Sequence, residues 1–492
     1  MGFFNGILNI LKTIVSSLNS FLWGDVINLN FGEMKIGLSI LVLMLIPTGV
    51  YYSVKTRMLS FRLFPQMIKI ILKNKVSEDK EAISGLQALF IATASRVGMG
   101  NLAGVVAAVS FGGPGAIFWM WIAAIIGSNT AFIESTLAQI YKEKDPLYGG
   151  WRGGPAYFMD RMRIVVKINE NDVFSDEFNE TKDLIGEKKK VYKRTSTFKI
   201  CGLLFAISGL ITWVGITQIV SNSVSESFKN AFGLNPLYTS IGMTVLGTIV
   251  LFGRGNKDKI VDVLNRIVPI MAILYFTLTL FILIKNIGVV PEMFREIFEQ
   301  AFGTKQMAAG GFGAVLMQGV KRGLFSNEAG SGSAPCAAAA ADVNHPAEQG
   351  LIQALGVFID TLVVCSCTAF VMLLAPSGVR EGKVGMDLLQ SCMDYHIGSF
   401  GTPLVAIILF LGILFYARSN VAYIFGDKIV AQNAYKIFAL MMLFVGGMAQ
   451  YLFVWELGDL GVALMTVFNL TAILPMSTIA LTSLKDYETK IK

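Results

Sequence analysis

The sequence predicts an all-α integral membrane protein with about eleven transmembrane helices. Hydrophobic residues occupy 54% of its 492 positions and charged residues only 15%, whereas soluble domains carry about 25% charged residues. The mean hydropathy is +0.60, and apolar stretches long enough to cross a bilayer recur along the chain. These observations exclude a soluble fold, so we attribute the net charge of +7 to basic cytoplasmic loops rather than to nucleic-acid binding.

Each predicted span contains roughly the 20 apolar residues that a transmembrane helix needs. The segment 3–22 alternates apolar residues with Asn, Lys and Ser, so we interpret it as an amphipathic helix at the membrane interface. The predicted spans are 35–55, 83–111, 114–141, 199–227, 236–253, 260–285, 306–340, 349–375, 402–426, 431–454 and 459–483.

The basic residues predict an N-terminus outside the cell and a C-terminus in the cytoplasm. With that orientation the inside segments hold 29 Lys and Arg residues and the outside segments hold 8. An excess of these residues on the cytoplasmic side is the general rule. Without the long loop 142–199, 16 remain inside against 8 outside, so the bias does not depend on that loop. We therefore expect a multi-pass protein of the cell membrane.

The spans suggest a division of the chain into three parts. If the first span is set aside, ten remain, which form two sets of five with opposite topology, because five is odd. We expect an N-terminal amphipathic segment with one extra helix at 1–80, a first five-helix repeat at 81–290 and a second at 291–492. The hydrophilic stretch 160–198 is predicted to be a solvated cytoplasmic loop or, alternatively, a docking site for a partner.

Two predicted spans, each the first of its set, are interrupted by glycines. The first carries "SRVGMGNLAG" (95–104) and the second carries "MAAGGFGAVLMQGVKRGLFSNEAGSGSAP" (307–335). Paired glycine-broken spans at corresponding positions indicate the binding site of a transporter. Alternatively, glycines permit close helix packing, and Gly100 and Gly104 have the spacing of that pattern.

An unwound helix in the membrane indicates a ligand that carries both a positive and a negative charge. Its free N–H and C=O groups must face a cavity, protein or ligand, because lipid cannot satisfy them. The N–H groups suit a carboxylate and the carbonyls suit an ammonium group or a sodium ion. A zwitterionic amino acid meets both requirements.

The motifs around the glycines resemble those of the prokaryotic alanine or glycine:cation symporters. The matching runs are "VGMGNLAGV", "GGPGAIFWMW", "GGPAYF", "VPIMAILY", "RGLFSNEAGSGSAP", "HPAEQGL" and "GVFIDTL", with a weaker match in "LGDLGVALMTVFNL". The resemblance implies a leucine-transporter-type 5+5 inverted repeat preceded by one extra helix. It also implies cation-coupled uptake of a small neutral amino acid by alternating access.

The resemblance also implies which residues bind the substrate. The break at Gly98 to Asn101 would hold the amino acid through its main chain, with the N–H groups of Met99 and Gly100 toward the carboxylate. The carbonyl of Arg96 would face the ammonium group. Gln218 would supply an amide, and small residues of the second broken helix would complete the pocket: Gly310, Gly311, Phe312 and Gly313.

Sodium is the coupling ion that the resemblance implies, with no other cofactor. The carbonyls of Ala94 and Val97 would line one sodium site and Asn101 would help to line another. Two intramembrane carboxylates, Glu134 and Asp360, are functional candidates, or else pair with Arg96 or cap a broken helix. Asn327 and Glu328 are expected to stabilise the unwound region or an inner gate.

The chain departs from the family pattern in the stretch "LFYARSNVAYIFGD". Two adjacent threonines of the family correspond to Ala417 and Arg418, or to a pair that includes Ser419 if the alignment slips by one. The family tryptophan corresponds to Ala422, which enlarges the pocket. A second departure is Met99, where the family usually has threonine.

Arg418 is predicted to lie inside the membrane and therefore to have a partner or a task. One hypothesis is that its fixed positive charge replaces a sodium ion near the carbonyls of Ala94 and Val97. The alternative is that it pairs with Glu134 or Asp360 away from the site. The first hypothesis predicts uptake that depends weakly on sodium.

We therefore predict a secondary active transporter rather than an enzyme. The sequence contains no nucleophile–base pair, metal-ligand set or ATP-binding motif that indicates catalysis or primary pumping. The expected partners are a small neutral amino acid of the alanine or glycine class, Na⁺ or H⁺, and the lipid bilayer. Two alternatives remain: a sodium-independent carrier or exchanger with the same fold, and an amino-acid sensor that signals through the 160–198 loop.

Overall fold

The computed structural model describes a mostly helical chain. The described residues are 2–31, 34–72, 83–96, 99–146, 149–161, 163–165, 192–194, 196–252, 258–302, 311–411, 423–424 and 428–491. Within them, five helices are long and apolar enough to cross a membrane. The number becomes six if the helices Ile273–Lys285 and Val290–Ala301, which meet at 104°, form one bent span.

The N-terminal region contains an amphipathic helix, a hairpin and one further apolar helix. Helix α1 turns a stripe of apolar side chains outward, among them Ile10, Ile14 and Phe21, as an interfacial helix would. Strands β1 and β2 pair antiparallel. The elements are α1 (Gly2–Trp23), β1 (Ile27–Phe31), β2 (Met34–Leu38), α2 (Ile40–Lys55), α3 (Leu59–Arg62) and α4 (Phe64–Leu72).

The next region begins with the first interrupted helix. Its parts are α5 (Gly85–Arg96), a π-helical segment, Met99–Gly104, and α6 (Val105–Gly112). The elements that follow are α7 (Gly115–Ile140), β4 (Glu143–Lys144), β5 (Trp151–Arg152), α8 (Pro155–Asp160), β6 (Arg163–Val165), β7 (Tyr192–Arg194), α9 (Ser196–Phe232), α10 (Pro236–Phe252), α11 (Asp258–Lys285) and α12 (Val290–Ala301).

The last region begins with the second interrupted helix, α13 (Gly311–Asn327) and α14 (Ala334–Ala339). A second π-helical segment, Phe358–Cys365, lies within the span that follows it. The other elements are β8 (Ala341–Asp342), α15 (Pro346–Val357), α16 (Ser366–Leu373), α17 (Ser377–Arg380), α18 (Gly385–Ile397), a 3₁₀ turn (Gly398–Phe400), α19 (Gly401–Leu411), α20 (Ile429–Gly446) and α21 (Tyr451–Ile491).

Described helices lie within each of the eleven predicted spans, but five or six of them are long and apolar enough to cross a membrane, so the count of eleven stays a prediction. The last two spans separate at residues 447–450 rather than at 455–458, because the chain turns after Gly446 and α21 begins at Tyr451. Of the predicted 402–426 span, the structure describes α19 and residues 423–424. Of the predicted loop 160–198, it describes the antiparallel ladder between β6 and β7 and a few residues next to that ladder.

A short parallel ladder joins the two interrupted helices. Strand β3 (Ile83–Ser84), immediately before α5, pairs with β8, which follows α14. Ile83 lies opposite Ala341 and Ser84 opposite Asp342. The start of α5 and the end of α14 are therefore neighbours. Each is the end of its half-helix that lies farthest from the break.

Candidate functional site

The first interrupted helix begins with a capping box. Ser84 Oγ accepts a hydrogen bond from the main-chain N–H of Gln87, and Gln87 Oε1 accepts one from that of Ser84. This reciprocal pair satisfies N–H groups that a helix leaves free at its first turn. Regular α-helix ends at Arg96 and resumes at Val105, with the π-helical segment Met99–Gly104 before α6. Such π-helical turns occur frequently at functional sites.

The second interruption separates α13 from α14. Glu328, Gly330 and Gly332 have φ values of 58°, 93° and 83°, in the left-handed region that an α-helix does not use. Glycine tolerates this region and an ordinary residue such as Glu328 does so at a cost, so the turn is built by the sequence "EAGSGS". The break in the second helix therefore lies at residues 328–333.

The two interrupted helices lie side by side and antiparallel. Gly112 lies against the side chain of Gln318, and Gly100 lies against Ser326. A β-carbon at Gly100 would lie 2.7 Å from Ser326 Cα and 3.1 Å from the Phe325 carbonyl oxygen. Close packing, the alternative interpretation of this glycine, is thus what the structure has at Gly100.

A cluster of polar side chains surrounds Asn101 at this contact. Its Oδ1 accepts a hydrogen bond from Ser326 Oγ at 2.7 Å, and Cys365 Sγ lies 3.5 Å away. The main-chain carbonyl of Asn101 accepts a hydrogen bond from Thr368 Oγ1 at 2.7 Å, and Tyr275 donates to the same hydroxyl at 3.0 Å. We call these five residues the Asn101 cluster. All of them are buried, and they join both interrupted helices to α11 and to the helix that carries the second π-helical segment.

One donor of the Asn101 cluster remains unused. The Nδ2 group of Asn101 is buried and has no hydrogen-bond partner among the residues that the structure describes. A buried amide normally finds a partner, because leaving it without one costs about 1–3 kcal/mol. An acceptor such as a carboxylate would satisfy it.

Glu134 holds the second break in place. Its Oε1 accepts a hydrogen bond from the main-chain N–H of Gly330 at 3.2 Å, and its Oε2 accepts one from Asn469 Nδ2 at 2.6 Å. The same amide of Asn469 donates to the carbonyl of Gly330 at 3.0 Å. The carboxylate therefore caps the broken helix, which is one of the two structural roles expected for it.

Asn327 and Glu328 stabilise the same turn from within. Asn327 Oδ1 accepts a hydrogen bond from the N–H of Ala329, and its Nδ2 donates to Thr361 Oγ1 at 3.1 Å. Glu328 accepts a hydrogen bond from Ser333 Oγ at 2.7 Å. Both residues thus have the stabilising role in the unwound region that the sequence suggested. Asp360, the other intramembrane carboxylate, is fully buried in the second π-helical segment.

An ion-pair cluster, Lys321, Arg322 and Asp459, joins α13 to α21. Arg322 makes a bidentate pair with Asp459 at 2.8 and 3.0 Å, and Lys321 Nζ lies 2.8 Å from the same carboxylate. Arg322 lies over the Trp455 ring, 4.3 Å from its centroid. This cluster lies about 8 Å along α13 from the second break, between the break and the end predicted to be extracellular. The basic pair was visible in the sequence as intramembrane charge, but its partner is 137 positions away.

Several predicted site residues lie outside the described residues: Val97, Gly98, Gly310, Ala417, Arg418, Ser419 and Ala422. Ala94 and Arg96 lie in the last turns of α5, and Met99 begins the π-helical segment. Of the predicted substrate-binding residues, Gly100 and Asn101 are the ones that the structure brings to the contact between the two interrupted helices.

Gly311, Phe312 and Gly313 lie away from the contact between the two interrupted helices, and their contribution to the pocket stays a prediction. These residues begin α13, and fourteen residues separate Phe312 from Ser326, which is about 21 Å of helix. A β-carbon at Gly313 would lie 2.6 Å from the N atom of Gly37, so this glycine allows the β1–β2 hairpin to approach. Phe312 packs edge-on against Trp119. Gly313 serves packing, whereas Gly330 and Gly332 lie in the break.

Gln218 also lies elsewhere than expected. It shares a helix face with Asn222, as their spacing predicts, but that face contacts α20. Gln218 Nε2 lies 3.3 Å from Met442 Sδ, and Asn222 Nδ2 donates to the carbonyls of Gly446 and Ala449. Spacing along one helix predicts a shared face but not the neighbour of that face.

Comparisons with known proteins agree with these features. A family model described as the sodium:alanine symporter family matches residues 22–492. The chain is 38% identical over 487 residues to the "Probable sodium/glutamine symporter GlnT" of Bacillus subtilis (strain 168), which covers 97% of this chain and 91% of that protein. It is 32% identical over 488 residues to the sodium/alanine symporter AgcS of Methanococcus maripaludis, with 96% and 97% covered.

Two further similarities complete the comparison. The amino-acid carrier protein AlsT of Bacillus subtilis (strain 168) is 35% identical over 451 residues, which cover 90% of this chain and 88% of that protein. Among solved structures, a manganese transporter of Eremococcus coleocola aligns over 83% of both chains with a TM-score of 0.45 and 10% identity.

Proposed function

Because the chain belongs to the sodium:alanine symporter family, we propose that it couples a sodium gradient to the uptake of a small neutral amino acid. Members of this family are membrane transporters, not enzymes, and the relatives named above are described as symporters or amino-acid carriers. The chain is accordingly a multi-pass membrane transporter with amino acid and sodium as its expected cargo. The alanine or glycine class of substrate is our proposal.

The observation that carries this proposal is the Asn101 cluster between two interrupted helices. Main-chain groups freed by an interruption can bind both ends of a zwitterion. The unused Nδ2 donor of Asn101 adds a side-chain group of the right kind for a carboxylate. Because the unused group of Asn101 is an N–H donor, which suits a carboxylate rather than a cation, we assign Asn101 to the substrate.

The same geometry supports the proposed 5+5 organisation. Each interrupted helix is followed by a long helix, α7 or α15 with its continuation, and those two helices pack together. The antiparallel arrangement of α6 and α13 agrees with halves of opposite topology. Alternating access would then involve the ion-pair cluster of Lys321, Arg322 and Asp459 on the predicted extracellular side of the break.

The energy for uptake would come from the cation gradient and the membrane potential. One co-transported charge gains about 2.3 kcal/mol per 100 mV, which corresponds to roughly fifty-fold accumulation. Sodium is the coupling ion that the symporter relatives support. In the alternative that Arg418 replaces one sodium ion, uptake would instead depend weakly on sodium or not at all.

A second substrate is favoured by one observation. The relative at 38% identity carries glutamine in its description, whereas the alanine symporter is at 32% identity. Glutamine is a neutral amino acid whose head group would bind in the same way. The substitution of a family tryptophan by Ala422, as the sequence alignment suggests, leaves more room for such a side chain.

Uptake into proteoliposomes tests the proposed function. Sodium and proton gradients are imposed independently, and labelled alanine competes with glycine, serine, threonine, valine and glutamine. We expect sodium-stimulated uptake that neutral amino acids inhibit. Uptake that follows the proton gradient alone, or labelled alanine that is never accumulated, would contradict the proposal.

A further inference from the structure

Two glutamines of α15 are buried without hydrogen bonds. Gln349 and Gln353 are fully inaccessible to solvent, and both polar atoms of each amide lack a partner within the described part of the protein. They are four residues apart on one helix, so they share a face. Gln349 belongs to the sequence "HPAEQGL", to which the proposed function assigns no task.

This arrangement differs from that of another buried glutamine in the same protein. Gln390 of α18 donates to the carbonyls of Ser227 and Thr402 and accepts a hydrogen bond from Asn230. A buried amide without such partners is unfavourable for folding. Four unused polar atoms on one helix face are therefore available to a polar ligand.

The Gln349 amide faces the first half of the first interrupted helix. A β-carbon at Gly85, the first residue of α5, would lie 3.1 Å from Gln349 Oε1. Gly85 lies at the end of α5 that the charge bias assigns to the cytoplasm. The Gln349 amide is thus close to the predicted cytoplasmic end of α5, on the side where a substrate would leave.

A row of polar side chains leads from the Asn101 cluster to the amides. Helix α15, the π-helical segment and α16 form one continuous helix, Pro346–Leu373. Along it, Thr368 and Cys365 contact Asn101, and Thr361 accepts a hydrogen bond from Asn327 at the second break. Gln353 and Gln349 follow in the direction of the predicted cytoplasmic end, about 12 and 18 Å beyond Thr361.

We propose that Gln349 and Gln353 form a second, transient binding site for the head group of the transported amino acid, occupied as the substrate leaves the break. The inference rests on the proposed function. Carboxamides suit a zwitterion, because their NH₂ groups donate to a carboxylate and their oxygens accept from an ammonium group. They carry no net charge, so they would bind the substrate weakly enough for it to dissociate.

The experiment replaces both amides by leucine, in Gln349→Leu, Gln353→Leu and the double variant. Each is purified, and three quantities are measured: substrate binding at equilibrium, the turnover number for uptake into proteoliposomes, and the melting temperature. We expect turnover to fall about tenfold in the double variant, because the hydrogen bonds lost with both amides together account for a change of about that size. Equilibrium binding at the break should change less than about twofold.

The melting temperature separates a site from a structural role. Leucine removes buried polar atoms that have no protein partner, so the double variant should melt at the same temperature as the wild type or higher. Gln390→Leu is the matched control, and it should melt lower because its amide has partners. The single variants keep the comparison open if the double variant folds poorly.

Three outcomes overturn the inference. The first is unchanged turnover in the double variant, and the second is a melting temperature that falls as it does for Gln390→Leu. The third is a wild-type protein that accumulates no amino acid, which overturns the proposed function as well. Wild-type transport with an unaffected double variant removes the second site alone and leaves the proposed function intact.

Discussion

Asn469 donates a hydrogen bond to Glu134 over 2.6 Å, although 335 positions separate the two residues in the chain. The pair joins α21 to α7 at the point where the second interrupted helix turns. Because Asn469 also donates to Gly330, the three groups fix the unwound segment from two directions. The unwound turn is therefore a rigid part of the fold.

Glu134→Gln should lower the free energy of unfolding by about 1.5–3 kcal/mol, since a charged acceptor of two hydrogen bonds becomes an amide with a single acceptor oxygen. The melting temperature of the purified protein measures the effect. Asn469→Asp should lower the free energy of unfolding further, because it places two carboxylates side by side where a hydrogen bond now joins an amide to a carboxylate. A Glu134→Gln variant as stable as the wild type would show that the cap contributes nothing.

Asp459→Asn should lower the free energy of unfolding by about 3–5 kcal/mol, because it leaves Lys321 and Arg322 buried without a counter-charge. Arg295→Gln is a matched control. That arginine is 61% exposed and pairs with Glu292 and Glu299 at the surface, so its loss should change stability by less than about 0.5 kcal/mol. Equal effects in thermal denaturation would contradict the assignment of a buried ion-pair cluster.

Asn101→Asp should weaken substrate binding by at least about tenfold, because it replaces the unused NH₂ donor by an oxygen that repels a carboxylate. Isothermal titration with alanine and with its methyl ester measures the effect. The ester has no carboxylate, so its binding should be affected less. Equal losses for both compounds would argue against contact between Asn101 and the carboxylate.

Gly100→Ala should destabilise the protein by about 1–3 kcal/mol, because the new β-carbon would meet the main chain of Phe325 and Ser326. Gly242→Ala in α10 is the control, since nothing lies within 4 Å of its β-carbon position. In a helix that change should stabilise by about 0.5–1 kcal/mol. A neutral Gly100→Ala variant would mean that α13 moves away at no cost.

Arg418→Thr combined with Ala417→Thr should increase the sodium dependence of uptake if the arginine replaces a sodium ion. Initial rates in proteoliposomes at graded sodium concentrations measure this dependence. A wild-type protein with steep dependence and a stoichiometry of two or more would exclude the replacement.

Hydropathy located the helices because every span must cover the same apolar thickness, whatever its neighbours are. Glycine clusters located the interruptions less well. Gly313 and Gly330 look alike in the sequence, but one lets a hairpin approach and the other adopts a φ of 93°. That difference is set by the surrounding chain, so the glycines alone do not indicate which of them lies in the break, whereas Asn327 and Glu328 are expected at the unwound region from the sequence.

Long-range pairs lay beyond sequence reasoning for the same reason. The spacing of Gln218 and Asn222 predicts their shared face, but nothing local predicts that α20 covers it. Arg322 could be recognised as a costly intramembrane charge, whereas its partner Asp459 could not be named. The family resemblance supplied the expected main-chain contacts of Gly100, and the packing around Asn101 added Ser326, Cys365 and Thr368.

The parallel ladder between β3 and β8 constrains how the two interrupted helices can move. It connects residues 83–84 to 341–342. The start of α5 and the end of α14 are therefore joined by main-chain hydrogen bonds, although more than 250 positions separate them in the sequence. Separate tilting of α5 and α14 would break those bonds, whereas a common displacement would preserve them. The ladder is therefore compatible with a concerted displacement of the two half-helices and not with their independent tilting.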